Sequence, residues 1–276
     1  MTEIQKDTYR LSNGVKIPKL GFGTWQISNE DAYQATLDAI KAGYKHIDTA
    51  QGYRNEEAIG CALKDAKIER NEIFVTSKLP SHIKGYKQTL ASFKKTMKDL
   101  QLEVLDLYLI HAPWPWDEIG KDCTEGNIES WKAMIDLHKE GKIRSIGVSN
   151  FSITDIQALI EATGFVPHVN QIKFYIGDTQ DELVNFCKQN NILVEAYSPL
   201  ATGRILENEV LKTIALDKKV SVAQLCIRYC LDKETLALPK TTKYERMVEN
   251  ADLNFSLSPT ELKKLDELSN LDGRKR

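Results

Sequence analysis

The sequence predicts an α/β protein, a closed (β/α)8 barrel with an N-terminal β-hairpin capping its bottom. Three observations carry this. Eight apolar, β-like runs recur along the chain, helical patterns with readable start signals lie between them, and 276 residues suit the roughly 250 that one such barrel needs. Strand and helix alternating eight times implies parallel strands joined by helical crossovers, and eight strands close on themselves. A doubly wound open sheet is the alternative. Residues 1–276 read as a single domain, without linker, low-complexity segment or sequence repeat.

The hairpin is expected where Asn13-Gly14 separates two short alternating runs in residues 9–18, since Asn-Gly accepts the positive φ that tight hairpin turns need. The eight strands are expected in residues 20–25, 45–50, 73–79, 105–111, 143–149, 166–172, 192–198 and 236–240. Helix starts are signalled by Ser28 with Asp31, Ser152 with Asp155, Thr179 with Glu182 and Ser221 with Gln224, which have capping-box or near-box spacing. The last helix begins at Ser258-Pro259-Thr260-Glu261, with proline at the first helical position. Long gaps at residues 112–127 and 199–209 fall on the face where strands end, where loops wall a pocket.

Composition narrows the function. With 42% hydrophobic and 28% charged residues the chain can bury a core, and a formal net charge of −2 without a basic stripe argues against nucleic acid. No apolar run approaches the roughly 18 residues of a membrane span, and residues 1–7 lack a signal-peptide core, so the expected location is the cytoplasm with no membrane partner. Five widely spaced cysteines do not suggest a disulfide framework. Cys226 and Cys230, four apart in a helix-like segment, read as small buried hydrophobes; without a CxxC or HExxH pattern no metal is expected. Nothing in the sequence advertises an interface, and a monomer is expected.

The chemistry collects where strands end. Asp48, Lys78, His111, Asn150, Gln171, Tyr197 and Lys240 each sit at or just past the end of a different predicted strand, and Tyr53 follows Asp48 by five residues. Any one alone could be barrel-mouth polarity; together they make a narrower proposal. A tyrosine has an ordinary pKa near 10, which an adjacent ammonium lowers. Lys78 could supply that charge, Asp48 the carboxylate that a buried lysine needs, and His111 a hydrogen bond to a substrate oxygen. Such a set suits proton donation to a carbonyl oxygen as charge develops on it.

Here the chain resembles the aldo-keto reductases, over nearly its whole length. The carrying motifs are Leu20-Gly21-Phe22-Gly23-Thr24-Trp25, Ile47-Asp48-Thr49-Ala50-Gln51-Gly52-Tyr53, Thr76-Ser77-Lys78 and Leu105-Asp106-Leu107-Tyr108-Leu109-Ile110-His111. Further along come Ile146-Gly147-Val148-Ser149-Asn150-Phe151, Val169-Asn170-Gln171, Ala196-Tyr197-Ser198-Pro199-Leu200, Leu238-Pro239-Lys240-Thr241 and Glu249-Asn250-Ala251. The resemblance implies an NADPH-dependent reductase of aldehydes and ketones, whose small-molecule substrates could be simple carbonyls, dicarbonyls, keto esters or keto sugars. It makes Tyr53 the general acid, tuned by Lys78 and Asp48, with His111 orienting the carbonyl.

The same resemblance implies the NADPH/NADP+ contacts. Tyr197 would stack on the nicotinamide, Ser149, Asn150 and Gln171 would hold its carboxamide, and Thr24, Trp25, Ser198 and Leu200 would contact the rest of that half. Asp48, Pro199 and Leu238 join the cofactor set. Lys240, Thr241 and Arg246 match the 2′-phosphate clamp and Glu249 and Asn250 the adenine contacts, although Lys240 and Arg246 could be solvated surface charges. No GxGxxG is present, which suits a family that lays its dinucleotide across a barrel mouth.

Departures concern the substrate. Many members carry tryptophan after the catalytic histidine; here Ala112 follows His111, and Trp114 and Trp116 come shortly after. Gln171-Ile172-Lys173-Phe174-Tyr175-Ile176 stands where many read Gln-Val-Glu-Tyr-His-Pro, and Thr241 replaces a common serine while keeping the hydroxyl. Trp25, Trp114 and Trp116 are the expected apolar substrate walls beside His111, with rim packing an equal reading for Trp116. The tail after Leu271 is too short for a long substrate loop, which points to the compact microbial members such as glyoxal, carbonyl and diketogluconate reductases. Two other readings stay open: a Schiff-base aldolase using Lys78, and a nucleotide-binding sensor or subunit without turnover.

Overall fold

The computed structural model describes residues 2–269 and 271. The tail expected to leave the site open, residues 272–276, lies outside the described residues.

The hairpin forms from β1 (Thr8–Arg10) and β2 (Lys16–Pro18), antiparallel with Tyr9 opposite Ile17. Its tip is fastened to the barrel by Asn13, whose amide donates to Arg144 O at 2.9 Å and Ser145 Oγ at 3.1 Å. Leu11 and Ile17 are buried in one cluster with Phe74, Leu107, Val169 and Leu236, residues at or near the starts of barrel strands. The hairpin therefore plugs the N-terminal end of the barrel, leaving the other end for the site.

The barrel strands are β3 (Phe22–Gly23), β4 (His46–Asp48), β5 (Phe74–Leu79), β6 (Leu105–Ile110), β7 (Ile143–Ser149), β8 (Val169–Lys173), β9 (Leu193–Tyr197) and β10 (Leu236–Leu238). Each pairs in parallel with the next in the chain. The ring closes between its ends: Leu20 bridges Ala237, Gly21 N donates to Ala237 O at 2.9 Å, and Gly23 N donates to Pro239 O at 3.0 Å. Closure rules out the open sheet.

Ten α-helices cover the strands: α1 (Asn29–Lys41), α2 (Glu56–Asp65), α3 (Tyr86–Leu100), α4 (Thr124–Lys139), α5 (Ile153–Thr163), α6 (Asp181–Gln189), α7 (Glu209–Lys218), α8 (Val222–Asp232), α9 (Tyr244–Ala251) and α10 (Pro259–Asp266), among the described residues. Full capping boxes start α5, α8 and α10 at Ser152, Ser221 and Ser258, and Ser28 Oγ caps α1 by accepting from Asp31 N. The expected Thr179 cap is not made. A turn pairing Tyr175 with Asp178 leads into α6 through Gln180, which takes a left-handed φ of 49° and sends its amide back to Lys173 O. Cys226 and Cys230 are buried free thiols of α8, as small hydrophobes would be. No metal-ligating cluster and no helix long and apolar enough to cross a membrane occurs among the described residues.

Candidate active site

Lys78 lies inside β5, and period-two alternation points it into the barrel above Thr76 and Phe74. It is fully buried, and its ammonium donates to Asp48 Oδ1 at 2.7 Å, Thr49 O at 2.9 Å and Tyr53 Oη at 3.3 Å. Burial pulls the Lys78 pKa down, but Asp48 and then Tyr53 outweigh it and the net shift is upward. A lysine held charged in this way has no free amine to attack a carbonyl, which removes the support for a Schiff-base nucleophile.

Tyr53 is placed by a short turn. Residues Gln51–Tyr53 form a 3₁₀ turn directly after β4, Arg54 turns left-handed at φ 60°, and Asn55 ties the turn down. Buried Asn55 donates to Thr24 O and Ile27 O, both at 3.1 Å, and accepts from Thr49 Oγ1 at 2.8 Å. Asn55 lies two residues past the motif that ends at Tyr53 and was not singled out from the sequence. The Tyr53 ring meets His111 edge-on at 5.4 Å between centroids.

The electrostatics of Tyr53 correct one expectation. Lys78 lowers its pKa, but burial raises it more and Asp48 adds to the rise, so the net shift is upward and the proton stays on the phenol. His111 is also neutral: burial, then the Lys78 charge, lower its pKa to about 3. The mouth thus holds one ammonium, its carboxylate partner, a neutral phenol and a neutral imidazole.

The cofactor candidates of the mouth follow at successive strand ends. Asn150, left-handed at φ 60° just after β7, donates its amide to His111 O at 3.1 Å and Ser149 Oγ at 2.9 Å, and accepts from Tyr197 Oη at 2.7 Å. Ser198, just after β9, is likewise left-handed at φ 53°. Asparagine takes this conformation readily, whereas a serine held there is costly and persists only because its surroundings fix it. Gln171 on β8 donates to Asp48 Oδ2 at 2.8 Å, joining the carboxamide candidates to the candidate tetrad of Asp48, Tyr53, Lys78 and His111. Thr24 is buried with its hydroxyl on Asp48 O, Pro199 is buried, and Leu200 is half-buried beside the 3₁₀ turn Ala201–Gly203. Leu238 turns its side chain into the barrel core.

The clamp candidates sit apart, at the end of β10 and the start of α9. Lys240, Arg246 and Glu249 are exposed, Thr241 and Asn250 are buried, and no side chain caps α9. Thr241 Oγ1 instead accepts from Lys243 N at 3.1 Å. Around His111 stands an aromatic wall: Trp116 meets the imidazole edge-on at 5.9 Å and Trp114 at 4.9 Å, while exposed Trp25 makes no ring pair in the described structure. The loop carrying this wall is braced by Lys84, which donates to Ala112 O at 2.8 Å and Asn127 Oδ1 at 2.7 Å.

A second missed residue is Glu195. It is fully buried on β9, and its Oε2 accepts from Gln171 Nε2 at 2.7 Å. The signal was present: a glutamate in the apolar run Leu193-Val194-Glu195-Ala196, on the same face as Tyr197 two residues on.

Comparison with known proteins agrees with this geometry. The chain is 43% identical to glyoxal reductase of Bacillus subtilis, over 96% of this chain and 93% of that protein, and 38% identical to methylglyoxal reductase DkgA of Escherichia coli, over 97% and 94%. Among solved structures, an aldo/keto reductase from Brucella melitensis superposes with a TM-score of 0.92 at 40% identity, over 98% of this chain and all of that one. An aldo-keto reductase from Bombyx mori solved in complex with NADP gives a TM-score of 0.88 at 32% identity, over 96% of this chain and 93% of the other. The sequence profile of the Aldo/keto reductase family matches residues 19–270, so the chain belongs to that family and is an oxidoreductase acting on carbonyl and alcohol groups.

Proposed function

We propose that the protein reduces small aldehydes and ketones, α-dicarbonyls foremost, with NADPH, using Tyr53 as general acid. The observation that carries this is the Lys78 ammonium, bonded to Asp48 on one side and to Tyr53 Oη at 3.3 Å on the other, with neutral His111 against the same phenol. The relatives named for glyoxal and methylglyoxal favour small dicarbonyls, with the aromatic wall of Trp114 and Trp116 standing beside His111.

The residues present fit a nicotinamide dinucleotide phosphate. Asn150, Gln171 and left-handed Ser198 converge at the mouth, and the uncapped start of α9 beside Lys240, Thr241 and Arg246 suits a phosphate. When bound, that cofactor supplies a hydride to the carbonyl carbon. Tyr53 gives its proton to the carbonyl oxygen, and Lys78 stabilises the phenolate left behind. His111 orients the carbonyl by a hydrogen bond, its neutral ring carrying no charge to compete with Lys78 for the developing oxyanion. The chain is taken to work as a single-domain cytoplasmic monomer.

The test is NADPH oxidation with methylglyoxal by wild type and Tyr53→Phe. The variant is expected to bind NADPH normally and lose on the order of 10² to 10⁴-fold in kcat. Retention of most of the rate would remove Tyr53 from the role.

A further inference from the structure

Glu195 stands outside the tetrad, yet it is joined to it through one side chain. Gln171 Nε2 lies 2.8 Å from Asp48 Oδ2 and 2.7 Å from Glu195 Oε2, and both carboxyl groups are buried. Chemistry decides which way this amide points. Asp48 is ionised beside Lys78 and can only accept, so the Gln171 atom facing it is the NH2 group, whose two hydrogens are then divided between Asp48 and Glu195. Gln171 keeps only its carbonyl oxygen for any other partner.

We propose that Glu195 is a positioning residue for the nicotinamide carboxamide: with Asp48 it takes both N–H groups of Gln171, so that the Gln171 carbonyl oxygen alone is presented to the carboxamide NH2. This rests on the reading of the mouth as a nicotinamide site. Without Glu195 one Gln171 hydrogen has no acceptor, and the amide gains by rotating to offer it elsewhere, including to the carboxamide oxygen. The orientation of the cofactor amide, and with it the face of the ring above the tetrad, then loses an anchor.

The setting suits a carboxyl that accepts without adding charge. The charged groups acting on Glu195 are Asp48 from β4 and Lys78 from β5, with Gln171 its hydrogen-bond partner from β8; on β10 it is paired with apolar Leu236. Burial, then the Asp48 charge, push its carboxyl up to about 8, against the smaller opposing effects of Gln171 and Lys78. Its Oε1 is buried with no hydrogen-bond partner, which a neutral acid tolerates better than an anion. Ionisation above about pH 8 would place a second negative charge near Asp48 and compete for the Lys78 charge.

The experiment compares wild type, Glu195→Gln and Glu195→Ala in methylglyoxal reduction with NADPH and with its acetylpyridine analogue, in which a methyl ketone replaces the carboxamide and cannot donate. Wild type is expected to prefer NADPH in kcat/KM on the order of tenfold, the scale of one buried hydrogen bond. Glu195→Ala should let that preference fall severalfold towards parity, and Glu195→Gln, whose amide oxygen still accepts from Gln171, should keep it. The KM for NADPH should rise above about pH 8 in wild type and stay level in Glu195→Gln. An alanine variant with the wild-type preference, or a glutamine variant that loses as much as alanine, overturns the proposal. If the alanine variant does not fold, the pH arm decides: a KM that still rises near pH 8 in Glu195→Gln overturns it. Failure of the underlying reading shows elsewhere, in a wild type that reduces no carbonyl with NADPH.

Discussion

Glu56 opens α2 with its carboxyl sealed between that helix, β5 and α3, accepting from Ser77 Oγ at 2.5 Å and Thr96 Oγ1 at 3.3 Å. Burial raises its pKa from the ordinary 4.5 to about 7, although both hydroxyls pull the other way. The sign follows: the folded state holds the proton more tightly than the unfolded chain, so the contribution is fully present below about pH 4.5 and is lost as pH rises through about 7. The loss is on the order of 3 kcal/mol at 1.36 kcal/mol per unit. Glu56→Gln should therefore gain stability over wild type at pH 8 relative to pH 4.5, read from urea unfolding at both values. An equal difference at the two pH values would contradict the assignment. Glu56 and Glu195 were not singled out by the sequence for one reason. An apolar run can flag a buried glutamate, as it does for Glu195, but only the surrounding atoms of the folded chain decide whether it ionises. The Tyr53 phenol makes the same point, since the neighbouring ammonium was legible but the stronger opposing effect of burial was not.

At the scale of elements, the strand ends decide what reaches the mouth, and close helix packing holds them in place. The eight strands were legible because parallel strands buried on both faces read as continuous apolar runs, while their exact ends were not, the first and last barrel strands β3 and β10 being only two and three residues long. The Thr179 start failed because cap spacing is a local signal and the turn before α6 is set by contacts to β8. Gly60 of α2 shows what such contacts require. A Cβ there would come within 2.6 Å of Asp99 O and 2.7 Å of the Leu100 backbone, at the end of α3. Alanine gains about 1 kcal/mol in helix propensity, but overpacking against backbone costs about 1–3 kcal/mol and wins. Gly60→Ala should lower unfolding stability by up to about 2 kcal/mol in urea, and a stabilised variant would show that α2 and α3 can separate at no cost.

Over the whole molecule, the hairpin closes one end of the barrel and the loops wall the other. That leaves one face on which the tetrad, the ends of β7 to β9 and the start of α9 can meet a single extended ligand. The phosphate reading depends on this scale, because Lys240 and Arg246 matter only if a dinucleotide spans from α9 to Lys78. Arg246→Ala should raise the KM for NADPH on the order of tenfold and leave NADH little changed, as loss of one charge-assisted contact would. An equal effect on both cofactors would assign Arg246 to the solvated surface.

The alternation of eight apolar runs with capped helices was enough to name the barrel, and the polar residues closing those runs, with Tyr53 five residues after one of them, were enough to single out Asp48, Tyr53, Lys78 and His111 as candidates. Both are properties of neighbours along the chain, where period and spacing act directly. The barrel's closure through Leu20 and Ala237, the sharing of Gln171 between Asp48 and Glu195, and the neutral state of Tyr53 and His111 came only from the folded chain. Each depends on groups far apart in sequence brought within hydrogen-bond reach in a place without water. There, burial and pairing compete over whether a group keeps its charge.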